Sequence, residues 1–395
     1  MNFLFKNINV FKKQVPVIVL LWFAMALVAG IIQVLHHKYN NYLVYEGVFN
    51  HTIHQQNLYL AYPAEYFDLN HYGPLFSIVI APFALLPHWL AIPLWVLFSA
   101  AFLLYACLKL PITQKQKLIV VAITALDMMT AAHNLQFNIL TAAWLVLSFA
   151  LVEKEEDFWG TFFIAAGFLI KIYGIAGLLF FLFSRHKVRF ILSFIFWMIV
   201  LACLPMLISS PHFIIQSYKD WYISLADKNA ANLSQSVGGG MQDMGALGMF
   251  RRVFGDYNTL YVMAAAALLI VLPLVRFKQY VQREFQLSYL AIVLLTVVLF
   301  SSSAESSTYV VAMVGVGIWY LLDRQRNNSI VLTVLIVTLI LTSLSPTDLF
   351  PKYLWNHYVR TYALKALFPF IIWCWLIADV AIRNFTLSTN KLPQD

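Results

Sequence analysis

Lys171 sits in the run GFLIKIYGIAGLL, with apolar residues on both sides. An ammonium inside an apolar segment is costly and usually functional, and an anion such as a phosphate is its natural partner. Snorkelling to a nearby interface is the plainer use of the same side chain. The stretch YNNYLVYEGVFNHTIHQQNLYLAYPAEYFDLNHYGPLF carries the acids Glu46, Glu65 and Asp68 and the histidines His51, His54 and His71. A carboxylate at a membrane boundary can take the proton of an acceptor hydroxyl as a general base. Solvated loop acids would look the same. His51 and His54 have the spacing of two metal ligands on a helix, but no third ligand accompanies them. HNLQFN, residues 133–138, gathers His133, Asn134, Gln136 and Asn138 in one polar turn. Asp127 precedes it inside an apolar arm and needs a basic partner, for which Lys171 is one candidate. In NLSQSVGGGMQDMGALGMFRRVFGD the glycines permit close backbone approach, and Gln235 is a polar contact there. Arg251 and Arg252 can clamp a phosphate or diphosphate, or hold lipid headgroups. In FSSSAESSTYV, Glu305 can meet a sugar or a cation, or cap a helix start.

These groups must be positioned by a chain that is 61% hydrophobic and 11% charged over 395 residues, with a mean hydropathy of +0.75. Soluble domains carry roughly 25% charged residues. Too little polar surface remains for a soluble enzyme, a disordered chain or a disulfide scaffold. The three cysteines lie in apolar runs without metal or redox spacing. Basic residues cluster between apolar runs, as the positive-inside rule places them, so the +8 charge does not point to nucleic acid. The fold class expected is all-α: a polytopic membrane bundle of about 12 transmembrane or re-entrant helices of up to roughly 20 residues. They fall near 16–35, 89–108, 118–132, 139–152, 158–170, 173–184, 190–209, 259–275, 287–302, 307–322, 330–345 and 364–382. The pairs 118–132/139–152 and 158–170/173–184 are short enough to be hairpins that turn inside the membrane. Gly73–Pro87 reads as a juxtamembrane helix at the outer interface. Charge bias places both termini in the cytoplasm. The whole chain, 1–395, then forms one transmembrane domain, with long external segments at 36–88 and 210–258. Long segments on one face commonly carry function.

In order and spacing these motifs resemble glycosyltransferase family 87, a multi-span family of GT-C architecture. YNNYLVYEG looks like the family's acidic-aromatic motif after the first span, and HYGPLFSIVIAPFALLP like its Pro-rich stretch. LQFN is similar to its Gly-Gln-x-Asn turn, and KIYG to its Lys-x-x-Pro element. NLSQSVGGG…FRR and SSSAESSTYV resemble its two later segments. Asn41 stands where the family has an acid, Leu135 where it has glycine, and Gly174 where it has proline. Ser or Thr replace its histidines near Glu305.

The resemblance implies a polyprenyl-phosphate sugar donor, most often mannose, and a glycan or glycolipid acceptor. It also implies a single displacement with inversion on the external face. Asp68 or Glu46 would be the catalytic base, in place of the acid missing at Asn41. Lys171, Arg251 and Arg252 would bind the donor phosphate, and His71, Gln136, Asn138, Gln235 and Glu305 the substrates. No cofactor and no metal are expected. The other partners are membrane lipids, and the short linkers point to a bacterial inner membrane. Two rivals remain. A secondary transporter would show repeats and broken helices. A ligase or polymerase of O-antigen type would use a diphosphate-linked donor.

Overall fold

The computed structural model describes residues 3–10, 12–235, 241–255, 257–323 and 328–388. About three quarters of the chain is helical. The chain opens on an antiparallel hairpin of β1 (Asn7–Val10) and β2 (Lys13–Pro16), in the register Asn7↔Pro16 to Val10↔Lys13. This hairpin is a departure from a purely helical chain. Its strands are mostly exposed, so the alternation that betrays a half-buried strand is missing.

Packing divides the chain into two compact units. The first comprises Met1–Lys109 and Ala131–Lys228. It holds α1 (Val17–Leu35), α2 (Asn40–Ile53), α3 (Phe76–Ala84), α4 (His88–Lys109), α6 (Asn138–Glu153), α7 (Asp157–Ile170), a 3-10 helix (Ile172–Leu182), α8 (Lys187–Cys203) and most of α9 (Pro211–Gln235). α6 is buried on nearly every side, which is what a helix that is apolar all round requires. α1 is fixed to α4 by the Trp22 indole, whose N–H donates to the Ala100 carbonyl at 2.9 Å. α8 lies at the edge. Val188, Ile191, Leu192, Ile195, Phe196 and Ile199 form an exposed apolar stripe at helical spacing, as a face against lipid hydrocarbon would.

The second unit comprises Leu110–Thr130 and Asn229–Asp395. It holds most of α5 (Gln114–His133), then α10 (Ala246–Phe254), α11 (Thr259–Val271), α12 (Arg283–Leu299), α13 (Tyr309–Asp323) and α14 (Asn328–Thr338). A π-helical turn (Leu339–Leu344), the single turn α15 (Lys352–Leu354) and α16 (Leu367–Ile382) follow. α12 and α13 are buried along almost their whole length and form its centre. Asp127 of α5 is fully buried here. The opposite charge acting on it is the equally buried Lys365 ammonium, with the Ser343 hydroxyl beside it. Lys171, the sequence candidate for that partner, belongs to the first unit.

Among the described residues, five helices are long and apolar enough to cross a membrane: Val17–Leu35, His88–Lys109, Lys187–Leu207, Ser306–Asp323 and Leu364–Ile382. Shorter apolar helices occupy Asn138–Glu153, Asp157–Ile170, Ile172–Leu182, Thr259–Val275 and Ser329–Leu344. The chain is an integral membrane protein. The two long segments expected outside the membrane each hold a helix that the sequence analysis did not place. Within 36–72, α2 buries Tyr42, Tyr45, Val48, Phe49 and Thr52 along one face, a stripe masked by the polar residues between them. Within 210–258, α9 runs for 25 residues.

Candidate active site

The site grows from a hairpin in the first unit. α7 ends at Ile170, Lys171 takes an extended conformation, and the 3-10 helix returns alongside α7. The two arms touch backbone to backbone at Gly167 and Gly174. A Cβ on Gly174 would lie 2.3 Å from the Gly167 carbonyl carbon and 2.3 Å from the Phe168 nitrogen. Proline at that place would put its own Cβ in the same space. We expect Gly174→Ala to open the turn, with about 1–3 kcal/mol of lost stability and a much reduced transfer rate. Thermal unfolding and transfer, measured on the same preparation, check this.

The end of α7 also receives the HYGP loop. Gly73 donates its N–H to the Ile170 carbonyl at 3.0 Å, satisfying one of the acceptors a helix end leaves open. A Cβ on Gly73 would lie 2.0 Å from the Leu169 oxygen, so glycine permits that approach. Asn70 is fully buried and accepts the Tyr72 N–H at 2.9 Å. α9 covers the same loop, with the Trp221 indole donating to the His71 carbonyl at 2.9 Å.

The third part is the HNLQFN turn. Leu135 and Gln136 donate their N–H groups to Ala132 and Ala131 at 2.9 Å each, closing the end of α5, and Leu135 has φ 52°. Glycine is the usual residue in that left-handed position. Here leucine tolerates it while its side chain is buried to 1% exposure. The turn delivers Asn138 to Lys171, whose ammonium donates to the Asn138 Oδ1 at 2.6 Å. The same ammonium lies 5.7 Å from the Tyr72 ring centroid and 5.3 Å from that of Tyr173. Tyr72 donates its hydroxyl to the Gln136 Oε1 at 3.4 Å.

His71 completes the arrangement. Ser224 donates its hydroxyl to the Asn70 carbonyl at 3.3 Å, so the 2.9 Å contact between Ser224 and His71 Nδ1 is donated by the imidazole. Nε2 is then the lone-pair nitrogen of the neutral ring. Burial lowers the His71 pKa to about 4. Lys228 and Lys171 push the same way, and Asp68 opposes them. The ring is therefore an uncharged hydrogen-bond acceptor at neutral pH, under the influence of both Asp68 and Lys171. Asp68 itself is exposed, and one of its oxygens accepts the Leu69 N–H at 2.8 Å.

The first unit thus brings together Lys171, Asn138, Gln136, His71 and Asp68. Glu46 is directed elsewhere on α2 and meets His88 Nε2 at 2.8 Å. Asn41 donates its amide N–H to the Asn134 carbonyl at 2.8 Å, which a carboxylate cannot do. His51 is held by Glu65 at 3.0 Å, and His54 by the Asn50 carbonyl at 2.8 Å. The remaining candidates belong to the second unit. Arg251 forms a buried ion pair with Asp243 and donates to the Thr259 hydroxyl at 2.8 Å. Arg252 donates to the carbonyls of Arg360 at 2.8 Å and Gln242 at 2.9 Å. Glu305 caps the helical turn before α13 through a reciprocal pairing with Thr308. Gln235 closes α9, and its side chain lies outside the described residues.

Glycosyltransferase family 87 supplies a family model that matches residues 70–302. The chain belongs to glycosyltransferase family 87. No curated protein matches it. As a family 87 glycosyltransferase, it transfers a sugar from a donor to an acceptor at a membrane. The match takes in His71, Gln136, Asn138 and Lys171; it begins two residues after Asp68 and ends before Glu305. Sequence reasoning passed over Tyr45, Tyr72, Tyr173, Trp221 and Ser224. Tyr72 and Tyr173 adjoin His71 and Lys171 in the chain, and Trp221 and Ser224 share a helix face. The second signal is readable only once 211–235 is known to be helical.

Proposed function

We propose that the protein moves a sugar, with mannose as the leading candidate, from a polyprenyl-phosphate donor to an acceptor hydroxyl, with inversion. The reaction takes place on the external face of a bacterial inner membrane. The observation that carries the reading is the Lys171 ammonium held by Asn138, with His71 under its electrostatic influence and under that of Asp68. Lys171 is the cationic donor of this group, and the Gln136 carboxamide adjoins it through Tyr72. The neutral His71 ring and the exposed Asp68 carboxylate are its acceptors. In a displacement at an anomeric carbon the ammonium meets the departing phosphate, and the acceptors meet the incoming hydroxyl.

The acceptor oxygen bonds to the anomeric carbon as the bond from that carbon to the phosphate oxygen breaks. The acceptor proton passes to Asp68, and polyprenyl phosphate leaves as the anion. Lys171 stabilises the charge that grows on the leaving oxygen, where a preorganised cation is most effective. His71 accepts a hydrogen bond from a substrate hydroxyl, and Asn138 holds the Lys171 ammonium in place. Arg251 is paired with Asp243 and Arg252 with backbone carbonyls, so this reading assigns the phosphate to Lys171.

Two measurements test the proposal. Proteoliposomes containing the purified chain are supplied with a polyprenyl-monophosphate sugar or its diphosphate counterpart, and product is scored by mass and anomeric configuration. Turnover with the monophosphate and an inverted product support the reading, whereas turnover with the diphosphate alone overturns it. Asp68→Asn is expected to lower the rate by about 10²–10⁴-fold, the usual contribution of a general base. Glu46→Gln is expected to retain activity. The reverse pattern would move the base to Glu46.

A further inference from the structure

Tyr45 of α2 and Tyr72 of the HYGP loop link that loop to the HNLQFN turn through a series of hydrogen bonds. The Phe137 N–H donates to the Tyr45 oxygen at 3.1 Å. The Tyr45 and Tyr72 hydroxyls are 3.1 Å apart, with the rings edge to face at 5.2 Å. Tyr72 donates to the Gln136 Oε1 at 3.4 Å. A phenol has one proton. Since Tyr72 directs its own to Gln136, the proton shared by the two hydroxyls is that of Tyr45. The series therefore runs one way, from the Phe137 N–H through Tyr45 and Tyr72 to Gln136.

This order orients the carboxamide. A glutamine has one accepting and one donating end, and the network decides which faces where. With Gln136 reversed, its NH2 would donate to Tyr72, whose proton would turn to Tyr45. Tyr45 already accepts the Phe137 N–H, so two donors would converge on that buried oxygen. In the observed order the accepting end of Gln136 is occupied and its NH2 is left for a ligand.

We propose that Tyr45 and Tyr72 are positioning residues, holding the Gln136 carboxamide so that its NH2 donates to an oxygen of the lipid phosphate bound by Lys171. The inference rests on the lipid-phosphate reading and deepens it. A phosphate offers only acceptors, and a preset amide donor favours it over a neutral polyprenol, whose hydroxyl is both donor and acceptor. The aromatic rings add no charge and occupy the space between turn and loop, so the hydroxyls are what select the orientation.

The test uses the full-length protein in nanodiscs, with a medium-length polyprenyl phosphate and the corresponding alcohol as probes. Tyr72→Phe removes the link to Gln136 and keeps the ring. Its affinity for the phosphate is expected to fall about 3- to 10-fold, the usual effect of one hydrogen bond, with the alcohol unaffected. In a Gln136→Ala background the same change is expected to cost nothing further, because the two act as a unit. Gln136→Glu, whose carboxylate repels the anion, is expected to lose more than Gln136→Ala. Equal losses in both backgrounds, or an equal loss for the alcohol, would overturn the positioning role. If the wild-type protein binds the phosphate and Tyr72→Phe binds it equally well, the relay alone fails. If the wild type binds neither probe, the donor assignment fails and takes the relay with it.

Discussion

Lys171→Ala is expected to lower sugar transfer by about 10²–10³-fold, the loss typical of removing one preorganised charge-stabilising group. The ammonium is half-buried at the hairpin turn, and the Asn138 carboxamide oxygen and two aromatic faces attend it. These three groups are themselves neutral. Truncation leaves the backbone bonds of the turn in place, including that from Lys171 N–H to the Gly167 carbonyl at 2.9 Å. The unfolding temperature should therefore change little while the rate collapses. Lys171→Arg keeps the charge, but its planar fork suits the Asn138 contact poorly, and an intermediate rate is expected. The single measurement that decides is the initial rate at saturating donor. A wild-type rate in Lys171→Ala would remove the residue from the mechanism.

Asp127→Ala is expected to have a large effect on stability, about 1–3 kcal/mol, because the buried Lys365 ammonium loses the opposite charge that acts on it. The carboxylate and the Lys365 ammonium are both fully buried in the second unit. Lys365 lies 4.8 Å from the Tyr309 ring centroid, and its backbone carbonyl accepts the Thr342 hydroxyl at 2.9 Å. Alanine at 127 strands a positive charge among α5, α13 and the π-helical turn. The double variant Asp127→Ala/Lys365→Met is expected to regain part of the loss, since no ion is then left unpaired. Thermal unfolding in one detergent distinguishes the cases. If the single variant is as stable as wild type, the pair contributes nothing.

How far the sequence could be read follows from the range of each interaction. Apolar runs reported the helices faithfully, because a helix surrounded by hydrocarbon or by other helices leaves no polar trace of its own. α2 went unread because its buried stripe is broken by Asn41, Glu46 and His51, and a mean over the segment erases the period. Lys171 stood out because a charge within an apolar run is visible locally. Its neighbours in space come from three separate segments: 70–73, 136–138 and 221–224. Two of these were singled out by their polar residues, and one was hidden in a presumed loop. Arg251 was legible as a cation but not as a partner of Asp243. That pairing depends on how the 241–255 segment folds back on itself. The Asp127 partner lies more than half the chain away, where only tertiary structure can find it.

The arms of the Lys171 hairpin are equal in reach although unequal in residues. α7 has 14 residues and, at 1.5 Å each, climbs about 21 Å. The returning 3-10 segment has 11 and, at about 2.0 Å each, descends about 22 Å. Stretching the second arm lets both feet stand level, near Glu155, which bonds Arg185 at 2.7 Å. With those feet at the cytoplasmic headgroups, the lysine is lifted about two-thirds of the way through a hydrocarbon layer of roughly 30 Å. A carrier lipid in the outer leaflet could then present its head to the ammonium by dipping about 9 Å, roughly 60% of its own leaflet's depth, without crossing the bilayer.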